Sequence, residues 1–463
     1  MCKKFLQNLG MQIYGYIDIA FVLPYTIRRY TREKADIPMA NTPQLLILGN
    51  GFDLHCGLKS GYADFFKTQI LDRVNAHYGF PMMRLGHHGF WETLLFESYK
   101  NYYNINHKWC DIESLIKDTL LAICFGETNT ASDLRNGIWA ISSESRHPIN
   151  DIAQVTPNHI TQFLYAYCAD FFDSRNSILP EADPHFSTLH LLLEHLLQDL
   201  HDLERQFCQY LKNQIVNPKN PEQLNTTYLI NAFNLLGKLT DSSDMVFADF
   251  DDIIVRDTVE EWKQTDDHMR STISQEKRTL SNRFLNLRNT HILSFNYTAL
   301  FDILAVESPC VYNNVHGKLC SNPCGETCKT SNIIFGIDDT FIHSQNANTE
   351  LRMFSKTYRK MSDTSTSVSI LPKNDNKPLA IKFYGHSLSS ADYSYFQSIF
   401  DYYDLYGNSN VQLIFYFSKG FEQTDAIYQL INSYGKTLSN QEQGKNLIHK
   451  LLLENRLKIT EIP

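Results

Sequence analysis

Short apolar runs that stop at polar or glycine-rich punctuation recur along the chain. Residues 45–48 end in Gly49-Asn50-Gly51, with Phe52-Asp53-Leu54 following. Residues 291–295 run into Asn296-Tyr297-Thr298, residues 311–315 into His316-Gly317, and residues 379–384 into Gly385-His386-Ser387, with Asp392 shortly after. Residues 245–250, 333–335 and 411–417 are further runs of the same kind. Continuous apolar runs, as opposed to alternating ones, fit strands buried on both faces of a parallel sheet.

Helical spacing fills the intervals. Leu189, Leu192, Leu193, Leu196, Leu197, Leu200, Leu203, Phe207, Tyr210 and Leu211 fall mostly at three- and four-residue steps, which predicts one long amphipathic helix. His190, His195 and His201 on or near it read as surface or packing histidines. Helices are also expected over 63–74, 91–103, 228–239, 393–403 and most of 424–453. A helix opening after Trp109 and running to about residue 123 makes Asp111 its N-cap and puts Glu113 in its first turn. The alternative for this pair is carboxylates at the rim of a pocket. Residues 340–378 form a polar excursion whose basic cluster, Arg352, Lys356, Arg359 and Lys360, reads as a solvated helix face.

Strands alternating with helices predict an α/β, Rossmann-like parallel sheet with helices on both faces. A large helical insertion, residues 90–285, separates its first strand from its second. In open α/β sheets a ligand sits beyond the carboxyl ends of the strands. Four such ends here read GNGFD, FNYT, HG and GHS, and they converge on one expected site.

The bulk numbers narrow the class. With 43% apolar and 20% charged residues the composition is that of a globular protein with an ample core. A net charge of −9 argues against bulk electrostatic binding of nucleic acid. Ten cysteines in 463 residues, without a secretory pattern, read as reduced thiols in a cytoplasm. Cys320, Cys324 and Cys328, with Cys310 upstream, lack the C-x2-C spacing usual for zinc, so no metal is expected. Within residues 1–38, Leu9–Tyr25 is fairly apolar with basic flanks (Lys3, Lys4, Arg28, Arg29), interrupted by Asp18 and short for a span. Residues 1–38 read as an appendage from an upstream start, before a single domain over 39–463; a membrane anchor is the alternative.

A glycine turn between a strand and a helix N-terminus exposes N–H groups that can cradle a phosphate. The same G-x-G arises as readily from steric need. Likewise Asn296 fits a left-handed turn closing a strand, and His316 and His386 fit hydrogen-bonded core histidines.

Taken together, Gly49-Asn50-Gly51-Phe52-Asp53, Trp109-x-Asp111-Ile112-Glu113, Ser294-Phe295-Asn296-Tyr297-Thr298, Val315-His316-Gly317 and Tyr384-Gly385-His386-Ser387-Leu388 with Asp392 resemble the bacteriophage abortive infection AbiH family, over most of residues 44–418. A more distant resemblance is to sirtuin-like (SIR2-like) NAD-binding proteins, where a glycine turn, an Asn and a His-Gly end successive strands. The chain departs from them at Asn50 and Asp53, where G-A-G-x-S is usual, and lacks the paired C-x2-C zinc motif of deacetylating members.

The first resemblance implies phage defence; the second implies NAD as ligand or substrate, with hydrolysis at the nicotinamide–ribose bond. Carried over residue by residue, Asn296 holds the ribose or orients a water, and His316 is the general base. Gly49, Asn50, Gly51 and Phe52 take the pyrophosphate. Asp53 bonds a ribose hydroxyl or stabilises positive charge, and Gly385, His386, Ser387 and Asp392 reach the adenosine half. Two alternatives stand beside this: a nucleotide-binding sensor without turnover, and a metal-dependent nuclease toxin built on Asp53, Asp111 and Glu113. Expected partners are NAD or a related nucleotide, a phage-derived trigger and a second copy of the chain, with no stable nucleic acid and no membrane.

Overall fold

Alternation along one strand sets the architecture. In a computed structural model, Leu46 and Leu48 face one apolar core while Leu45 and Ile47 face a second, so the strand that carries them is covered on both sides. The structure describes residues 42–71, 89–95, 112–125, 188–217, 220–240, 287, 289–303, 308, 310–319, 333–338, 349–361, 369–375, 377–420 and 423–462. The appendage at 1–38, the run at 245–250, Asp111 and Cys320, Cys324 and Cys328 lie outside them.

The strands are β1 (Gln44–Leu48), β2 (Val216–Asn217), β3 (Asn220–Leu224), β4 (Thr290–Ser294), β5 (Val311–Asn314), β6 (Leu379–Tyr384), β7 (Val411–Phe417) and β8 (Leu457–Glu461). Six of them form one sheet, all parallel, in the order β5-β4-β1-β6-β7-β8; β2 and β3 pair antiparallel apart from it. Counting only the sheet's own strands, the order is 3-2-1-4-5-6. That is the doubly wound dinucleotide-fold order, and its winding reverses between β1 and β6.

The helices are α1 (Gly51–His55), α2 (Tyr62–Phe65), α3 (Ile112–Phe125), α4 (Thr188–Ile215), α5 (Thr226–Leu239), α6 (Leu300–Ile303), α7 (Lys356–Met361), α8 (Tyr393–Tyr402), α9 (Thr424–Gly435) and α10 (Gln441–Leu453). On the face of Leu46 and Leu48, the core is built with Ile116 and Leu120 of α3, Leu200 and Phe207 of α4, and Phe233 of α5. On the other face it is built with Phe396 and Phe400 of α8, Ile431 of α9 and Leu447 of α10. The long amphipathic helix is therefore present as α4, and the predicted stripe from Leu193 to Leu211 is buried apart from half-buried Leu197. The π-helical stretch Phe66–Leu71 continues α2, where a single α-helix over 63–74 was expected. Among the described residues no helix is long and apolar enough to cross a membrane.

Three expectations need correction. The run at 333–335 is not a strand of the sheet; its neighbourhood contributes one isolated bridge, Ile337 to Ser355. The sheet has a sixth strand that the apolar pattern missed: β8 is an edge strand with four of five residues exposed, so no apolar run marks it. Lys356 and Arg359 are not on a solvated face. Lys356 is 2% exposed, and Arg359 forms paired 2.7 Å bonds to the two oxygens of buried Glu204 on α4.

Candidate active site

The strand register builds the site. Leu48, Ser294, Asn314 and Tyr384 stand side by side across β1, β4, β5 and β6. Two residues beyond that row come Asn50, Asn296, His316 and His386. The ladder is prolonged by Phe295 N–H to the Leu48 carbonyl at 2.8 Å, Val315 N–H to that of Ser294 at 2.8 Å, and Gly49 N–H to that of Tyr384 at 2.9 Å. Residue types that looked unrelated along the chain are thus delivered to one level at the carboxyl edge of the sheet.

Asp392 ties this level together. It ends a short 3-10 turn and N-caps α8 without using its side chain as the cap. The freed carboxylate is buried. Its Oδ1 lies 3.1 Å from His316 Nε2 and accepts from Lys356 Nζ at 2.9 Å; its Oδ2 lies 3.3 Å from His386 Nε2. Leu388 N–H donates to His386 Nδ1 at 2.9 Å, so the proton of that ring sits on Nε2 and points at Asp392. Lys356 Nζ also reaches Glu113 Oε1 of α3 at 2.8 Å. The Phe295 ring stands edge-on to both imidazoles, 5.3 Å from His316 and 4.5 Å from His386.

Two polar atoms at this level are left over. His316 Nε2 has the Asp392 carboxylate 3.1 Å away as an ion-pair contact, and the buried atom makes no hydrogen bond among the described residues. Asn296 Oδ1 is buried and unpartnered in the same sense, while the Asn296 backbone is pinned by Asn314 Nδ2, which donates to its carbonyl at 2.7 Å. Buried polar atoms are almost always paired, because an unpaired one costs about 1–3 kcal/mol. Here two such exceptions lie on neighbouring strand ends.

The electrostatics follow from burial. Desolvation pushes the His316 imidazole down to about 4, the Lys356 ammonium adds to this, and Asp392 opposes it. Burial also works against the charge on Asp392, but Lys356 and the contact with His316 outweigh it and hold the carboxyl well below the usual carboxylate range. For Lys356 burial is again the largest effect, and the carboxylates of Glu113 and Asp392 overcome it and push the ammonium up. At neutral pH the centre holds an ionised Asp392, a charged Lys356 and an uncharged His316.

The glycine turns are placed differently from the expected phosphate cradle. The N–H groups of Gly49, Gly51 and Phe52 donate to the carbonyls of Tyr384, Gly385 and Gly49, so none is free for a phosphate. Asn50 is exposed, and its Oδ1 accepts from Ser60 Oγ at 2.5 Å. Gly385 has φ +68° and packs on Gly51 too closely for any side chain. The steric reading of these glycines accounts for their geometry. Asp53 is 1% exposed, and its two oxygens accept from Tyr228 OH at 2.8 Å and Thr298 Oγ1 at 2.7 Å. It clamps α1 to α5 and to the loop after β4. Burial pushes its carboxyl up to about 6, against both hydrogen bonds. Ser387 is exposed, and Asp392 belongs to the histidine cluster.

Lys356 was missed as a site residue, and Glu113 entered only through the pocket-rim and nuclease alternatives. A lysine in a basic run and a glutamate in a first helical turn both have ordinary surface explanations. Of the three carboxylates of the nuclease reading, Glu113 pairs with Lys356 and Asp53 with Tyr228 and Thr298, and Asp111 lies outside the described residues.

A family model described as "Bacteriophage abortive infection AbiH" matches residues 45–234 and 198–417, an interval that contains all five motifs and every residue of this cluster. No curated protein matches, and no solved structure matches. The family match covers most of the chain and includes the strand ends that build the site, and on it the chain belongs to the bacteriophage abortive infection AbiH family.

Proposed function

We propose that this abortive-infection protein hydrolyses NAD at its nicotinamide–ribose bond, at the cluster of Asn296, His316 and Asp392. The observation that carries the reading is the pair of buried, unpartnered atoms, Asn296 Oδ1 and His316 Nε2, on adjacent strand ends of a dinucleotide-type sheet. Fold alone does not assign chemistry; the argument rests on what these side chains can do.

In the proposed step, the bond between ribose C1′ and the nicotinamide nitrogen breaks, and its electron pair neutralises the pyridinium. The ribose passes through an oxocarbenium-like state. Asn296 Oδ1 accepts a hydrogen bond from a ribose hydroxyl or from the attacking water. The water oxygen bonds to C1′, and its proton goes to uncharged His316. Ionised Asp392, 3.1 Å from that ring, stabilises the imidazolium as it forms. The same carboxylate favours the cationic ribose electrostatically. The products are ADP-ribose, nicotinamide and one proton. Because the Gly49, Gly51 and Phe52 amides are engaged, the pyrophosphate is not assigned to them.

The test is the NAD level over time with purified full-length protein, beside Asn296→Ala and His316→Ala. Loss of NAD with release of nicotinamide, reduced at least about 100-fold in each variant, supports the hydrolase. Saturable NAD binding without turnover, with phage lysate present, turns the reading to a sensor. Neither binding nor turnover removes NAD chemistry from the account.

A further inference from the structure

The helical insertion and the sheet meet at one buried charge. Lys356 opens α7, just after the bridge between Ile337 and Ser355. Its ammonium has two carboxylates from distant parts of the chain: Glu113, in the first turn of α3, at 2.8 Å, and Asp392, at the start of α8, at 2.9 Å. Three residues on, Arg359 of the same short helix pairs with Glu204 of α4 and donates to the Phe335 carbonyl at 2.8 Å. Helix α7 therefore holds two insertion helices by buried ion pairs, and one of these pairs runs on to Asp392 and His316.

We propose that Lys356 is a positioning residue of the site, whose ammonium, held between Glu113 and Asp392, fixes the charge and direction of the carboxylate that faces His316. The proposal rests on the hydrolase reading for its effect on turnover, but not for its effect on His316. The geometry is specific. Asp392 Oδ1 is the atom shared by Lys356 and His316, while Oδ2 is taken up by His386. Removing the ammonium leaves Glu113 and Asp392 as two carboxylates with no cation between them, and like charges in a buried site resist joint ionisation. The two negative charges then favour a proton on His316, whose ring faces Asp392 Oδ1. The groups facing His316 are Lys356 from α7, Asp392, His386 from the turn after β6, and the Phe295 and Tyr395 rings. Lys356 is the cation whose field opposes protonation of His316 most.

The experiment uses full-length protein with 13C-labelled histidine and follows the His316 ring signal against pH, assigned by its loss in His316→Gln. Lys356→Met and Lys356→Gln remove the charge, the glutamine keeping donors for both carboxylates so that one neutral variant folds. Lys356→Arg keeps the charge. The expected result is that His316 begins to protonate about one pH unit higher in the neutral variants and stays near the wild-type position in Lys356→Arg. An unchanged His316 titration in a folded neutral variant overturns the proposal. NAD turnover is measured on the same samples. If wild type turns NAD over, the neutral variants are expected to lose up to about 100-fold in kcat and to show a displaced acid limb. If wild type does not turn NAD over but the titration shifts, the positioning role stands and the hydrolase reading falls.

Discussion

The backbone amide of Gly51 donates to the carbonyl oxygen of Gly385 at 2.8 Å, which makes the turn after β1 and the turn after β6 a single unit. A Cβ on Gly51 would sit 2.7 Å from Gly385 Cα, and one on Gly385 would sit 2.4 Å from Phe52 N. Both obstacles are backbone, so no rotamer change relieves them. The contact lies at the reversal point of the sheet, between β1 and β6, one residue before His386.

Gly51→Ala should therefore part the two turns. The expected cost is about 1–3 kcal/mol from overpacking alone, read as a lower midpoint in chemical denaturation. Because the turn after β6 carries His386, the variant should also weaken the Asp392 cluster. A Gly51→Ala protein with wild-type stability would mean that the turns have room to move apart.

The Glu204–Arg359 pair invites a different comparison. Glu204 is 2% exposed, and it also accepts from Phe335 N–H at 2.7 Å. Arg359→Met leaves that carboxylate buried without its cation and should cost about 3–5 kcal/mol. Glu204→Gln keeps an acceptor for Phe335 and leaves Arg359, whose side chain is 13% exposed, closer to water; it should cost less. Equilibrium unfolding of both variants checks the order, and the reverse order would mean that the arginine is the costlier orphan.

How far the sequence reached is clear from single residues. Strands β1, β4, β6 and β7 were legible because a strand buried on both faces is largely apolar, and the residue that ends it is then conspicuous; β5, Val-Tyr-Asn-Asn and mostly half-buried, was legible only with the His316-Gly317 that follows it. Asn296, His316 and His386 were found that way. The long-range partners were not legible. Lys356 and Asp392 are 36 residues apart, and Lys356 sits among other basic residues, where charge alone reads as surface. One signal was available for the second pair: Glu204 follows Leu200 by four residues and precedes Phe207 by three, so it lies on the apolar stripe of α4. A glutamate on that stripe calls for a buried cation. Asp53 misled for the opposite reason, since an acidic residue after a glycine turn fits a ligand contact as well as a structural clamp.

Asp53 should show itself in the pH dependence of stability. Its folded carboxyl is pushed up to about 6 from an ordinary value of 3.8. The fold thus holds this proton more tightly than the unfolded chain does. That contribution is fully present below about pH 3.8 and is lost as pH rises through about 6, by about 3 kcal/mol. Asp53→Asn cannot ionise, and its amide can still accept from one hydroxyl and donate to the other. The variant should gain stability relative to wild type between pH 4 and 7. Urea unfolding at both pH values checks this; a difference that does not change with pH would show that Asp53 keeps an ordinary carboxyl.

His316 slopes the other way. Its imidazole is pushed down from 6.5 to about 4, so the folded protein binds this proton less readily than the unfolded chain. The stability it contributes is present above pH 6.5 and lost as pH falls toward 4, again by about 3 kcal/mol. His316→Gln should remove that loss, so its stability relative to wild type should rise as pH falls through this window. The same shift has a consequence for rate. A general base of ordinary pKa would halve its activity near pH 6.5, whereas an imidazole that stays uncharged to about pH 4 keeps it. NAD turnover by the wild-type protein should change by less than about twofold in kcat/KM from pH 8 to pH 5. Measuring both profiles on one preparation ties them together. An acid limb near 6.5 with a flat stability difference would mean that His316 is an ordinary histidine, and the base of the reaction would have to be sought elsewhere in the cluster.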